Sequence, residues 1–221
     1  MFASRMLRFA APANAFPTDL AVEPNARYVF TDYDGTNVAD RSPAGNDLTG
    51  VGGNISAVTN GVSVSDGSYF DMDSALDADA LWFVFKHEQV GTDINALIGD
   101  SSGSNNTSFI FIAPDTFSYA ISVDGSNGGE AKVSRNGASE YSGDKNVGPT
   151  GAFNDKTSIA RVRYTHRNGN FDVLGKFITN ISRFMTGELY EVIAFADYPS
   201  AGDVVKVENY LNAKYGGILD S

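Results

Sequence analysis

Turn dipeptides recur through the middle of this chain and divide it into short segments. Asn-Gly and Asp-Gly pairs favour tight β-hairpin turns, because these residues tolerate a positive φ. The segments between them are rich in aromatic and β-branched residues, which favour strands. The pairs lie at Asp34-Gly35, Asn60-Gly61, Asp66-Gly67, Asp124-Gly125, Asn136-Gly137 and Asn168-Gly169. This spacing predicts many short antiparallel strands, as in a sandwich or a barrel.

The individual strands are predicted from their apolar patterns. Leu81–Phe85 is apolar at every position, so we expect it at the centre of a sheet with both faces covered. The predicted strands are Tyr69–Met72, Leu81–Lys86, Phe109–Ala113, Phe117–Val123, Ser158–Thr165, Phe171–Ile178 and Glu188–Ala196.

The C-terminal segment has the pattern of a single helix over residues 200–215. Ser200 suits the N-cap, Asp203 stands at the capping-box position, and Gly216-Gly217 ends the pattern. One face carries four apolar residues, namely Val204, Val207, Leu211 and Tyr215. We expect this helix to lie across an edge or an end of the sandwich.

Composition excludes several functional classes. The chain has 221 residues, a net charge of −11 and no cysteine. It therefore has no disulfides, no thiolate metal site and no cysteine nucleophile. A pI near 4.5 argues against nucleic acid as a partner, and no apolar run approaches a membrane span. We predict an N-terminal arm over residues 1–19 and one domain over residues 20–221.

The predicted arm is basic and amphipathic. Phe2, Met6 and Phe9 recur at helical spacing, with Arg5 and Arg8 beside them. Residues 1–18 hold these two arginines and no acid, so the rest of the chain carries −13. Three alternatives stay open: a tail packed on its own domain, an arm docked on a partner or neighbouring subunit, and a membrane or processing role. We expect the arm to bind a protein partner in an oligomeric assembly.

Several stretches, mostly near the two ends of the predicted domain, form a recognisable pattern. The stretches are Tyr28-Val29-Phe30, Asp34-Gly35-Thr36, Val38-Ala39-Asp40, Gly45–Gly50, Gly67–Met72 and Leu81–Lys86, and much later Gly187–Phe195 and Tyr210–Gly216. These stretches resemble laminin-G-like, concanavalin-A-like jelly-roll domains of bacteria and phages. The likeness covers roughly residues 20–217, although the middle, about 90–160, fits only by strand pattern. It implies a domain that binds glycans or proteins, often with calcium. We therefore expect an all-β, two-sheet antiparallel jelly-roll sandwich with one C-terminal α-helix and a short helical or extended N-terminal arm.

Motifs for catalysis are weak. Gly99–Gly103 has the spacing of a serine nucleophile elbow, with Asp115 and His166 after it, but a β segment follows where the elbow needs a helix. Glycosidases need two converging carboxylates. Glu188 and Glu191 are three residues apart, which in a regular strand places them on opposite faces. We expect no enzyme activity.

Glu191 alternates with apolar neighbours in its predicted strand, so we expect a buried structural acid. Burying an unpaired carboxylate is costly, which predicts an ion pair or backbone hydrogen bonds. Arg161 and Arg163 are the donors that the sequence suggests.

Ligand-binding candidates lie in the predicted loops. No cofactor is required, and calcium is one option because carboxylate and amide oxygens are its preferred ligands. The candidate ligands are Asp32, Asp34, Asp71, Asp73, Asp100 and Asn105. Tyr33, Tyr119 and Tyr141 are candidates for stacking on sugar rings.

These observations favour a non-enzymatic structural and interaction module of a larger assembly. The family resemblance suggests a phage virion component, such as a tail appendage, a fibre or a capsid decoration, with an adhesive role towards glycans. An extracellular or cell-surface carbohydrate-binding adhesin is the alternative. A glycoside hydrolase built from distant acids is the third hypothesis.

Overall fold

The computed structural model describes residues 15–65, 67–88, 95–101, 108–113, 116–121, 131–137, 141–143, 156–164, 169–178 and 181–219. Those residues form short strands, a 3-10 turn at Phe30–Asp32 and a helix near the C-terminus. The elements are β1 Ala26–Val29, β2 Asn37–Val38, β3 Leu48–Val51, β4 Ile55–Val58, β5 Gly61–Val64, β6 Tyr69–Ala78, β7 Ala80–His87, β8 Asn95–Gly99, β9 Ser108–Ala113, β10 Thr116–Ile121, β11 Ala131–Arg135, β12 Tyr141–Gly143, β13 Thr157–Tyr164, β14 Gly169–Leu174, β15 Lys176–Ile178, β16 Ile181–Phe184, β17 Gly187–Phe195 and α1 Ala201–Tyr215.

The strands form two antiparallel sheets, as the sequence predicts. The first sheet runs β12-β11-β13-β7-β17-β5-β4, and β1 also pairs with β17. The second runs β10-β9-β8-β14-β6-β3-β2, and β15 and β16 form a separate hairpin. Apolar side chains from both sheets make one core, so the molecule is a two-layer sandwich.

Strand β7 lies in the middle of the first sheet with both faces buried, which confirms the prediction for Leu81–Phe85. Leu81, Phe83 and Phe85 point into the core between the sheets. Trp82 and Val84 point to the other face of the sheet, where they pack with helix α1.

Helix α1 begins after Ser200, whose side chain accepts a hydrogen bond from the Asp203 N–H group, as predicted. It covers the outer face of the first sheet, so the expectation that it lies at an edge or end was wrong. The reason is that β7 and β17 expose apolar side chains on that face, and they need a cover.

The predicted strand Phe171–Ile178 is two strands. The chain turns at Gly175, which has a φ of +82°, a conformation that favours glycine. Strand β14 therefore ends at Leu174, and β15 pairs with β16 instead. In the part of the chain that the structure describes, no helix has the length and apolar character needed to cross a bilayer.

Candidate functional site

The N-terminal segment joins the domain at Phe16. The Phe16 ring meets the Tyr210 ring edge to face, with 5.2 Å between centroids, and the Arg27 guanidinium lies 4.1 Å from its centroid. Leu20 is buried against the helix, and the Ala21 N–H group donates to Asp203 Oδ2 at 3.2 Å. The chain is therefore held against its own helix from Phe16 onward, which lies within the predicted arm of residues 1–19, and the name arm is kept below for residues 1–14. The arm residues Phe2, Arg5, Met6, Arg8 and Phe9 lie outside the described residues.

Beneath Phe16 lies the carboxylate of Glu191, which has no exposed surface. Arg27 Nε donates to Oε1 at 2.9 Å, and Lys214 Nζ donates to Oε2 at 2.8 Å. The hydroxyls of Tyr210 and Tyr215 donate to Oε2 at 2.8 and 2.9 Å. Burial, and then the Glu191 charge, raise the pKa of both phenols, so they stay protonated and remain donors. This cluster ties the last strand to the helix.

The burial of Glu191 and its ion pairing are observed, but the donors named from the sequence were wrong. Arg27 lies on β1, which is paired with β17 beside Glu191. Arg161 and Arg163 lie on β13, which is separated from β17 by β7. Arg161 instead donates to Glu208 of the helix at 2.7 Å. Distance across the sheet therefore excludes the predicted pairing.

A β-bulge brings Glu188 and Glu191 to the same face. The register with β7 shifts between Leu189 and Glu191, so Tyr190 and Glu191 both face the helix. Glu188 Oε2 accepts a hydrogen bond from the Tyr190 hydroxyl at 2.8 Å on that side. The expectation that these acids lie on opposite faces was wrong, because it assumed a regular strand.

The loop before β3 is held by Asp40, a residue for which the sequence predicted no structural role. Its carboxylate accepts hydrogen bonds from the N–H groups of Arg27, Ser42 and Asn46 and from the Ser42 hydroxyl, at 2.7 to 2.9 Å. Tyr28 donates to the Asn46 carbonyl at 2.7 Å. The sequence did carry a signal for this loop. An aspartate placed a few residues before Asn46 can accept hydrogen bonds from the N–H groups of the loop that follows it.

Two of the calcium candidates serve the loop that carries them. Asp32 forms a two-bond ion pair with Arg41, with Nε–Oδ2 at 2.6 Å. The N–H groups of Thr36 and Asn37 donate to Asp34 Oδ1 at 2.8 and 2.7 Å, and these bonds lower the pKa of Asp34. Both carboxylates therefore already have structural partners.

The other calcium candidates are scattered. Asp71 and Asp73 lie on the exposed face of β6, and Asp100 follows β8. Asn105 lies outside the described residues. Within the described ranges, no three histidine or acidic side chains are grouped so that they could hold a metal ion.

Of the three tyrosines predicted to stack on sugars, Tyr33 is partly buried. Its ring packs edge to face on Phe70 at 6.0 Å, and its hydroxyl donates to the Gly35 carbonyl at 2.8 Å. Tyr119 lies in β10 and Tyr141 in β12, and their side chains are outside the described part of the structure.

A different aromatic patch lies where the outer face of β6, in the second sheet, meets the β15–β16 hairpin. We call it the Tyr69 patch; it consists of Tyr69, Asp71, Lys176 and Phe184. Lys176 Nζ lies 4.1 Å from the Tyr69 ring centroid, and Phe184 lies 6.1 Å from it. Desolvation by its neighbours raises the pKa of Asp71, although the nearby Lys176 charge acts to lower it. The patch combines aromatic faces with hydrogen-bonding groups, and no sequence pattern singled it out because its members come from three strands.

The elbow-like sequence ends β8 and is not followed by a helix in the described residues, where β9 comes next. Ser101 donates from its hydroxyl and its N–H group to the carboxylate of Asp172, at 2.5 and 2.6 Å. Asp115 and His166, its formal partners, lie outside the described residues. The described contacts of Ser101 are those of a loop anchored to β14.

Comparison with known proteins gave no match to a protein-family model, to a curated protein or to a solved structure.

Proposed function

We propose that this chain is a non-enzymatic structural and interaction module of a larger protein assembly, attached through its N-terminal arm. The observation that carries the proposal is the anchoring of Phe16 between Arg27 and Tyr210. This contact gives the preceding residues a fixed starting point on the domain. A tethered segment that begins at a fixed point binds a partner with less loss of freedom than a loose tail.

The composition of the arm supports a protein partner. Residues 1–14 carry two arginines, three large apolar residues at helical spacing and no acid. Fourteen residues span about 46–50 Å when extended and about 21 Å as a helix, so the arm can reach well beyond the domain. Repeated copies held by such arms would act together, since linked binding events occur at high effective concentration.

The hydrogen bonds already made by Glu191 and Asp40 also support binding rather than catalysis. Glu191 is closed in by four donor groups, and Asp40 accepts three hydrogen bonds from its own loop and a fourth from the Arg27 N–H group of β1. A general acid or base needs access to its substrate. These carboxylates instead hold a strand to a helix and a loop to a strand.

The resemblance to laminin-G-like domains supports a phage virion as the assembly, with the chain as a tail appendage, a fibre or a capsid decoration. The location would then be the virion, or the outside of a cell. No metal or cofactor is needed for such attachment.

The test compares the full chain with a variant lacking residues 2–14, each tagged at the C-terminus and produced in the cells that make the protein. We expect both to fold, with circular dichroism melts that agree closely, since the deleted residues precede the Phe16 anchor. Only the full chain should sediment with a large assembly in a density gradient. Co-sedimentation of the shortened chain at the same level would reject the arm as the attachment.

Two paired variants separate the chemistry of the arm. Arg5→Gln with Arg8→Gln removes the charge, and Phe2→Ser with Phe9→Ser removes the apolar stripe. We expect the second pair to lose more of the assembly-bound fraction, because apolar burial is the dominant driving force in most protein association. Equal retention by both pairs would contradict a specific docking arm.

Glycan binding is a second candidate, which the Tyr69 patch favours. A partly exposed ring flanked by a carboxylate and an ammonium group can stack on a sugar and hydrogen-bond its hydroxyls. Tyr69→Ala should abolish saturable binding on a glycan array, whereas Tyr33→Phe, which keeps a ring at the core edge, should not. Loss of glycan binding on addition of EDTA would show that calcium assists the binding. If the parent chain binds none of a diverse set of glycans on the array, this candidate is rejected.

A further inference from the structure

The longest uncharged run in the chain includes a hairpin at the edge of the first sheet. Residues 48–65 contain eighteen consecutive residues without a charge, in a chain of which 19% of residues are charged. They include β4 and β5, which are joined by a two-residue turn after Val58. In the described residues β4 is the last strand on its side of the sheet.

The register shows which main-chain groups of β4 face outward. Val58 is paired with Gly61 across the turn, and the Ser65 N–H group donates to the Asn54 carbonyl at 3.3 Å. Alternate residues of an antiparallel strand share a hydrogen-bonding side, so the even-numbered residues of β4 bond to β5. The N–H and C=O groups of Ile55 and Ala57 therefore point to the open edge.

In the described part of the chain this edge lacks a lysine, a proline, a bulge and an inward-pointing charge, and its protection against pairing is that the strand is only four residues long. Proteins protect sheet edges with lysine, proline, a bulge or an inward-pointing charge. Strand β4 reads Ile55-Ser56-Ala57-Val58, and its register with β5 is unbroken. Ser56 and Ala57 are exposed.

We propose that β4 pairs antiparallel with β4 of a second copy of this chain, so that the first sheet continues across two molecules. A two-fold axis at Ser56 places Ile55 opposite Ala57 of the second copy, and the reverse. These residues then exchange four N–H···O bonds, and the two Ser56 side chains face each other as a non-hydrogen-bonded pair. Residues that lie opposite each other share a face of the sheet. The core-facing side of the first sheet therefore continues from one molecule into the other.

The uncharged hairpin is a part of the surface where charge does not oppose a second copy as the occupant. Each chain carries a net charge of −11, so two copies repel wherever their acidic surfaces meet. The uncharged hairpin removes that repulsion at the contact. Because only a short edge is paired, we expect weak association that becomes effective when many copies are held together. The pairing depends on the fold alone and would occur whether or not the arm attaches the domain to an assembly.

Cross-linking tests the register. The chain has no cysteine, so Ser56→Cys introduces a single thiol. Directly opposed non-hydrogen-bonded residues have Cα atoms about 4.5 Å apart, which suits a disulfide. Under mild oxidation we expect covalent dimer from Ser56→Cys at about ten times the level given by Ala213→Cys, an exposed helix control, because pairing raises the effective thiol concentration. Ala57→Cys should also cross-link poorly, since its opposed residue is Ile55. Equal yields from the three variants would overturn the proposal.

Sedimentation velocity over a range of concentrations supplies a test without a thiol. The parent chain should show a concentration-dependent shift towards a dimer, and Ala57→Lys should stay monomeric with an unchanged thermal melt. A parent chain that stays monomeric at all concentrations would overturn the proposal. So would dimerisation that occurs only after deletion of residues 2–14, because the edge would then be covered by the chain's own arm.

Discussion

Replacement of Arg27 by methionine tests the energetic role of the cluster beneath Phe16. Methionine keeps most of the apolar stem of the arginine and removes its charge. The Arg27 side chain is 10% exposed and Glu191 is fully buried, whereas Lys214, the other cation of the cluster, is 22% exposed. Both cations bind the same carboxylate, so the free-energy costs of removing each one can be compared directly.

The burial of each cation sets the expected magnitude. Breaking a buried ion pair by removing one partner costs about 3–5 kcal/mol, because the remaining charge is left buried. Lys214 and two tyrosine hydroxyls still serve Glu191, so we expect the lower end, about 3 kcal/mol, for Arg27→Met. Lys214→Met should cost about 1 kcal/mol, as for a partly exposed pair.

Urea unfolding followed by tryptophan fluorescence measures the difference, since Trp82 lies under the same helix. For a domain of this size, 3 kcal/mol lowers the midpoint by about 1 M urea. Combining Arg27→Met with Glu191→Gln in a double-mutant cycle should give a coupling energy of about 1.5 kcal/mol or more. A loss from Arg27→Met no larger than that from Lys214→Met, or a coupling near zero, would refute the reasoning.

Three further variants test other parts of the fold. Ser200→Ala removes the helix N-cap and should lower stability by about 1 kcal/mol in a thermal melt, with no change in the folded spectrum. Burial raises the pKa of Asp79, so its ionised form destabilises the folded state as pH rises through that pKa. Asp79→Asn should therefore be more stable than the parent at pH 7 and equal to it at pH 3, and equal stability at both values would contradict the pKa shift. Gly61→Ala would place a Cβ against the Leu189 carbonyl and should cost about 2 kcal/mol, whereas Gly53→Ala, which has open space, should cost little.

The elements that were predicted well carry their signal locally. Strand β7 is apolar at every position, and α1 has its cap, its apolar face and its terminal glycines within twenty residues. The position of α1 was missed because it depends on which sheet face is left uncovered. That in turn depends on β7 and β17 lying side by side, a pairing between residues about a hundred positions apart.

The sequence predicted that Glu191 is buried and ion-paired, but it did not predict which residues are its partners. An acid among apolar residues signals burial and a need for partners. Its partner Arg27 is 164 residues away and reaches it only because β1 pairs with β17. The bulge at Tyr190 was equally hidden, since tyrosine and glutamate fit either face of a strand and the shift appears only in the register with β7.

Both proposed contacts between proteins involve the first sheet. Phe16 anchors the arm beside α1, which covers the outer face of that sheet, and β4 forms its edge. In a strongly acidic chain, repulsion over a Debye length of about 8 Å at physiological salt favours contacts at uncharged or basic segments. An assembly built through the first sheet would leave the outer face of the second sheet, with the Tyr69 patch, free to meet a ligand. On that arrangement Tyr69→Ala should abolish glycan binding while leaving sedimentation with the assembly intact, and a variant that loses both together would show that the two faces do not have separate roles.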